Sequence, residues 1–223
     1  MEWKENPQLS DKLVALIAED MRLEDRPLPS VTELIYCLTK AYNDRFQYIP
    51  PTPKGTIMMA VGVKLGDVFL PRLRREIGGE REGIHFHIDF ALDDRMGELK
   101  STRYSPNKHP SEYSAGWHRQ ILGYMKAQGT AEMVFAVIHI IPAELKTWEV
   151  TATQEEIDTN WTWLQARKVQ YMDFIERQAR PTPFTFNEAW ECRDCPYKLM
   201  CDAESAAISD RERFDATTTP NSG

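Results

Sequence analysis

Asp89, Glu98 and Lys100 are the residues whose types and spacing point most directly to chemistry. Ile84, Phe86, Ile88, Phe90 and Leu92 alternate with His85, His87, Asp89 and Ala91, the period of two expected of a half-buried strand. Asp93–Gly97 reads as a turn, and Glu98–Thr102 resumes as a second strand, so the segment is predicted to be a hairpin with a longer loop. His85, His87 and Asp89 then share one face, as do Glu98 and Lys100 two residues apart. Two carboxylates on adjacent strands suit a hard divalent cation such as Mg²⁺ or Mn²⁺, which takes oxygen ligands and keeps waters for substrate. A lysine beside them can orient or help deprotonate a water whose pKa the cation has lowered. The plainer alternative is a solvated strand face, where a cross-strand Glu/Lys pair stabilises the sheet by roughly 0.2–1 kcal/mol.

Gln120 and Tyr124 follow in a predicted helix, four residues apart and therefore on one side of it. The order Asp–x8–Glu–x–Lys, then Gln–x3–Tyr about 20 residues later, resembles the PD-(D/E)XK nucleases, in particular their RecB-like exonuclease branch.

The four cysteines form one pattern: Cys37 by itself, then Cys192-x2-Cys195-x5-Cys201. Two disulfides are not expected in a reducing cytosol. Three clustered thiols plus one upstream, with none left over, point to a single four-thiolate centre. Zinc is one occupant, since structural zinc sites use C-x2–4-C spacings. The single remote ligand suits an Fe–S cluster at least as well.

Ser30-Val-Thr-Glu-Leu-Ile-Tyr-Cys37, the Asp89/Glu98-x-Lys100 hairpin, Gln120-x3-Tyr124 and Cys192-x2-Cys195-Pro-Tyr-x3-Cys201 stand in the order seen in the CRISPR-associated RecB-like exonucleases. The same layout is similar to the nuclease domain of AddB-type recombination proteins. The resemblance covers about residues 30–202 and implies a [4Fe-4S] cluster on Cys37, Cys192, Cys195 and Cys201. It also implies a divalent-metal nuclease acting on DNA ends or single strands. Asp89 and Glu98 match the metal ligands, with the carbonyl of Leu99 completing the shell. Lys100 matches the catalytic lysine, and Gln120 and Tyr124 match the substrate motif. One departure stands out. The family's Gly-x3-His before the hairpin is here Gly62-Val-Lys-Leu-Gly66, with no metal-binding side chain at the last position; Asp67, His85 or His87 are the available substitutes.

The elements that must position these residues are legible in outline. An amphipathic stretch over 11–20 is followed by a capping box at Ser30–Glu33 that opens a helix to about Tyr42, with Cys37 in its interior. Tyr48–Gly55 is a loop, and a helix over 57–75 ends in Arg72, Arg74 and Arg75 before Gly78-Gly79. Residues 103–110 form a basic loop. A helix over 111–128 and strands at Glu132–Ile141 and Leu145–Thr151 come next. The Thr153–Glu156 capping box then starts a long helix to about Ala179. The fold class expected is α/β, a small mixed sheet flanked by helices, which the resemblance implies to be a PD-(D/E)XK restriction-endonuclease-like core. The resemblance implies that an Fe–S cluster joins an N-terminal helix to a C-terminal segment. The expected organisation is 1–55 helical with one cluster cysteine, 56–180 nuclease core, 181–206 cluster-binding segment and 207–223 frayed tail.

A chain of 223 residues that is 42% hydrophobic and 27% charged has the composition of a globular protein, which excludes global disorder. The longest apolar run, Met133–Ile141, is far short of the roughly 20 residues of a membrane span, and no secretory leader is visible at the N-terminus. A cytoplasmic location follows as the expectation, in the host cytoplasm if the chain is viral. The net charge of −7 argues against nonspecific coating of nucleic acid, which needs many neutralised phosphates. It leaves room for local engagement at a metal site, with Arg72, Arg74, Arg75, Arg103, Lys108 and Arg119 as candidate phosphate contacts. The function expected is metal-dependent DNA exonuclease activity in CRISPR adaptation, recombination or viral DNA processing, with protein partners from such a complex. The rival is a catalytically weakened Fe–S accessory subunit that binds DNA ends.

Overall fold

The computed structural model describes residues 7–20, 27–69, 74–92, 94–182 and 188–218. In chain order the elements are α1 (Pro7–Asp20), α2 (Val31–Ile35), α3 (Leu38–Phe46), α4 (Pro53–Phe69), β1 (Arg74–Arg81), β2 (Ile84–Leu92) and β3 (Arg95–Thr102). Then follow α5 (Ala115–Gln128), β4 (Glu132–His139), β5 (Glu144–Thr151), α6 (Gln154–Glu176) and α7 (Lys198–Thr218). Among the described residues no helix is long and apolar enough to cross a membrane.

The strands form one sheet in the order β1-β2-β3-β4-β5. All neighbours are antiparallel except β3 and β4, which run parallel. A parallel pair needs a crossover, and α5 provides it. Buried Phe135 and Val137 of β4 pack with α2, α5 and α6 residues such as Leu34, Ile121 and Trp161 in the main core. A smaller core of Phe90, Val134, Ala136 and Leu99 occupies the other side, where α4 approaches β3: a Cβ on Gly62 would lie 3.7 Å from Ser101 Oγ.

The β2–β3 hairpin forms as the alternation predicts, but its strands pair only from Phe90↔Gly97 to Leu92↔Arg95 and then part. Gly97 permits this: a Cβ there would stand 2.1 Å from Cζ of Phe90, whose ring lies across it. Gly97→Ala is therefore expected to destabilise the protein by about 1–3 kcal/mol, the cost of overpacking a core. Denaturant unfolding measures it, and an unchanged midpoint would mean that the ring can move aside.

Four expectations are corrected. The helix from Ser30 does not run through Cys37: α2 stops at Ile35, Tyr36 is extended (φ −91°, ψ −167°) and Cys37 caps α3. The break is held by groups remote in sequence. Arg167 of α6 donates to the carbonyls of Leu34 and Tyr36, and Glu191 accepts the Cys37 N–H at 2.7 Å. Second, Arg74 and Arg75 begin β1 and do not end a helix; Arg72 lies outside the described residues. Gly78-Gly79, which reads as a breaker, sits inside β1 because Phe86 of β2 fills the space a Cβ on Gly79 would need, at 2.6 Å. Third, α5 starts at Ala115, capped by Ser114, after a short 3-10 turn over Pro110–Glu112. Fourth, α7 continues to Thr218 through part of the stretch read as a frayed tail; Ala206, Ala207, Arg211 and Glu212 favour helix there.

Candidate active site and thiol cluster

Where β2 and β3 part, the Asp89 side chain takes the place of a backbone partner: Asp89 Oδ2 accepts the Leu99 N–H at 2.8 Å. In an extended strand the N–H and C=O of one residue project to the same side. The Leu99 carbonyl is thus turned to the side on which Asp89 stands. Glu98 and Lys100 face the main core, paired across β4 with Phe135 and Val137. Lys100 Nζ meets Glu98 Oε1 at 2.5 Å. Glu98 is 2% exposed, and its other oxygen, Oε2, has no hydrogen-bond partner.

A buried carboxylate oxygen without a donor is costly as an anion. Burial accordingly pushes the Glu98 carboxyl up to about 8, against the pull of Lys100 and helped by the neighbouring Asp89. For Lys100, burial works against the charged form, but Glu98, Tyr36 and Asp89 outweigh it and raise its pKa. The consequence for stability has a definite sign. Between about 4.5, the ordinary value, and about 8 the unfolded chain ionises Glu98 while the folded chain keeps it protonated. Rising pH in that window therefore favours unfolding, and the full stability is present below it. We expect the melting temperature of metal-free protein to fall from pH 5 to pH 8 relative to that of Glu98→Gln, measured in parallel thermal melts. Parallel curves would show that Glu98 is already ionised in the fold.

Gln120 and Tyr124 come together on α5 as predicted, with Gln120 Nε2 donating to Tyr124 Oη at 2.8 Å. Both are buried and form the wall behind the carboxylates. Glu98 and Asp89 act electrostatically on Tyr124, whose pKa is raised first by burial. Gln120 Oε1 is a second buried atom without a partner.

Three residues at this site escape the sequence reading. Thr32 of α2 lies 3.4 Å from Gln120 Nε2. Tyr36 is within electrostatic range of Lys100 and Glu98. Glu188 accepts the Gly116 N–H at 3.2 Å and the Ser114 hydroxyl, so it occupies the start of α5. Burial opposes its charge, yet these hydrogen bonds hold its pKa below the usual value. Thr32 and Tyr36 were detectable as an i, i+4 pair like Gln120 and Tyr124; Glu188 left no local signal.

Other candidates go elsewhere. His85 Nδ1 is 3.3 Å from the Gly79 carbonyl, and exposed His87 packs over Gly78. The Arg119 guanidinium lies 3.9 Å over the Trp163 ring, directed at α6. The Asp67 side chain lies outside the described ones. Among the described residues no third His, Cys, Asp or Glu joins Asp89 and Glu98 to make a larger ligand group.

The thiols of Cys37, Cys192, Cys195 and Cys201 belong to one region, and no disulfide joins them. Burial, followed by the charges of the other three, raises the pKa of Cys192. Burial also raises that of Cys195, with Cys37 and Cys201 contributing. As placed, no three of the described side chains of ligand type stand close enough to hold an ion. The segment is docked by polar contacts of long sequence range. Besides Glu191 on Cys37, buried Tyr197 donates to Asp44 at 2.9 Å and accepts the Ile49 N–H at 3.0 Å, while Arg180 lies 3.3 Å from Cys201 Sγ.

No protein-family model matches the chain, and no curated protein is matched by its sequence. Among solved structures the chain is similar to the protein SSO0001, at 16% identity and a TM-score of 0.58 over 88% of this chain and 97% of that one. That likeness is one of fold. Weaker matches are a phage-related exonuclease from Haemophilus somnus 129PT and an alkaline exonuclease from Laribacter hongkongensis. The first has 15% identity and a TM-score of 0.46 over 70% of this chain and 98% of that one. The second has 11% identity and a TM-score of 0.42 over 75% and 95%.

Proposed function

We propose that this chain is a metal-dependent deoxyribonuclease of the PD-(D/E)XK type. The observation that carries the reading is the buried Glu98 Oε2 atom, which receives no N–H donor, beside Asp89 and with Lys100 against the other oxygen. That atom and the Asp89 carboxylate are oxygen donors of the kind Mg²⁺ or Mn²⁺ takes, and a cation there would favour the charge that burial suppresses. Asp89, Glu98 and the Leu99 carbonyl would hold it. When bound, such a cation polarises the phosphate and lowers the pKa of its water. Lys100, whose ammonium donates to Glu98 Oε1, would orient the attacking water. Gln120 and Tyr124 back the site and keep the carboxylates dry.

The motif resemblance extends the proposal to an exonuclease acting on DNA ends or single strands in CRISPR adaptation, recombination or viral DNA processing, in the cytoplasm and with protein partners of such a complex. It also supports a [4Fe-4S] cluster. Four thiols without a disulfide fit that donor set, and Cys37, Cys192, Cys195 and Cys201 would hold it. Bound there, it would tie α3 to the C-terminal segment.

The test is anaerobically purified protein with end-labelled single-stranded DNA, titrated with Mg²⁺ and Mn²⁺. Cation-dependent shortening of the strand is expected; none at any concentration would overturn the reading. One observation favours a second reading: the metal group has two carboxylates and no histidine, with Gly66 where the resembled family has one. A cation-independent DNA-binding accessory subunit would show retention of labelled DNA without shortening.

A further inference from the structure

We infer that Tyr36 is a substrate-contacting residue of this site, its phenol donating to a non-bridging oxygen of the phosphodiester held beside Lys100. The inference rests on the nuclease reading above. Tyr36 leaves the helical path of α2, and its carbonyl is pinned by Arg167 Nη2 at 2.5 Å. Its ring is held edge-on by Trp190, with centroids 6.0 Å apart. It lies over the first turn of α5, where Gly116 leaves room for it. A Cβ on Gly116 would stand 2.8 Å from Tyr36 Cε1 and 3.1 Å from the hydroxyl. The phenol is thereby carried into the electrostatic range of Lys100 and Glu98.

That hydroxyl makes no hydrogen bond to a described residue. A phenol is a protonated donor at neutral pH, and within electrostatic range of the Lys100 ammonium it offers a second donor for one anion. The start of α5 cannot take this part itself, because Glu188 already accepts the Gly116 N–H. The nearby negative charges are engaged as well: Glu188 by Ser114 and Gly116, Glu191 by the Cys37 N–H. Trp190 and Glu191 sit in the segment that carries Cys192, so the docking of the thiol segment sets where the Tyr36 hydroxyl stands.

Tyr36→Phe keeps the ring contacts and removes only the donor. Hydrolysis of a single-stranded oligonucleotide is expected to fall about 100-fold, the effect of losing one donor to a developing anion. The melting temperature and the Mg²⁺ concentration for half-maximal rate should not change. The discriminating readout is a phosphorothioate at the scissile bond. One diastereomer should slow the wild type more than the other, and Tyr36→Phe should lose most of that preference. Gly116→Ala, which displaces the ring, should reproduce the rate loss. A Tyr36→Phe rate within twofold of wild type, or a lower rate with the diastereomer preference intact, overturns the inference while the nuclease reading stands. A wild type without cation-dependent hydrolysis overturns both.

Discussion

Lys100→Ala is expected to lower cation-dependent DNA hydrolysis by about 10²- to 10⁴-fold, the range for loss of a positioned proton-handling group. Lys100 Nζ donates to Glu98 Oε1, and its side chain is 21% exposed, so it stands between the buried carboxylate and the solvent from which substrate enters. Removing it takes away both the group that orients water and the positive charge that steadies Glu98. The fold should survive. Breaking a buried ion pair usually costs several kcal/mol because it strands a charge. Here the Glu98 carboxyl, pushed up to about 8 even with Lys100 present, is already protonated at pH 7, so no anion is stranded. The variant should therefore melt within a few degrees of wild type at pH 7, bind any cluster with unchanged visible absorbance, and be inactive. Hydrolysis at wild-type rates by Lys100→Ala would place the chemistry away from this hairpin.

Cys195→Ala is expected to have the largest effect on stability and metal content together. The hydrogen bond from the Cys37 N–H to Glu191 spans 154 residues, so the thiol segment closes most of the chain on itself. In the chain-entropy picture a covalent closure of that length is worth about 5 kcal/mol. The polar contacts that dock the segment unaided, such as Tyr197 to Asp44, each contribute about 1 kcal/mol. Losing one of four ligands should thus remove iron and visible absorbance and lower the unfolding midpoint sharply, since metal binding and folding are coupled. It should lower nuclease activity as well, because Trp190 and Glu188 of the same segment hold Tyr36 and the start of α5. Metal analysis of the wild type decides the occupant: one zinc per chain with no iron would replace the cluster by a zinc site.

The β2–β3 hairpin was legible because its code is local. Apolar and polar residues alternating from Ile84 to Leu92 specify a strand with Asp89 on the polar face, and a spacing of two places Glu98 and Lys100 together. Gln120 and Tyr124 were legible by the helical spacing of four, and the Thr153–Glu156 capping box marked the start of α6. β1 was not, because Gly78-Gly79 lacks strand propensity and pairs only through what β2 presents, the Phe86 ring that fills the space over Gly79. The break at Tyr36 was hidden for a related reason: Ser30–Tyr42 satisfies every local rule for one helix.

By itself, then, the sequence determined which residues share a face, since that follows from periods of two and four. Only the tertiary structure decided how those faces meet. Arg167 and Glu191, each more than a hundred residues from Tyr36, end α2 by taking up the backbone groups that a continuous helix would have bonded internally. That competition for backbone hydrogen bonds takes Tyr36 off the helical path of α2 and over the first turn of α5. It depends on groups no local pattern connects, and it is settled when the C-terminal segment docks.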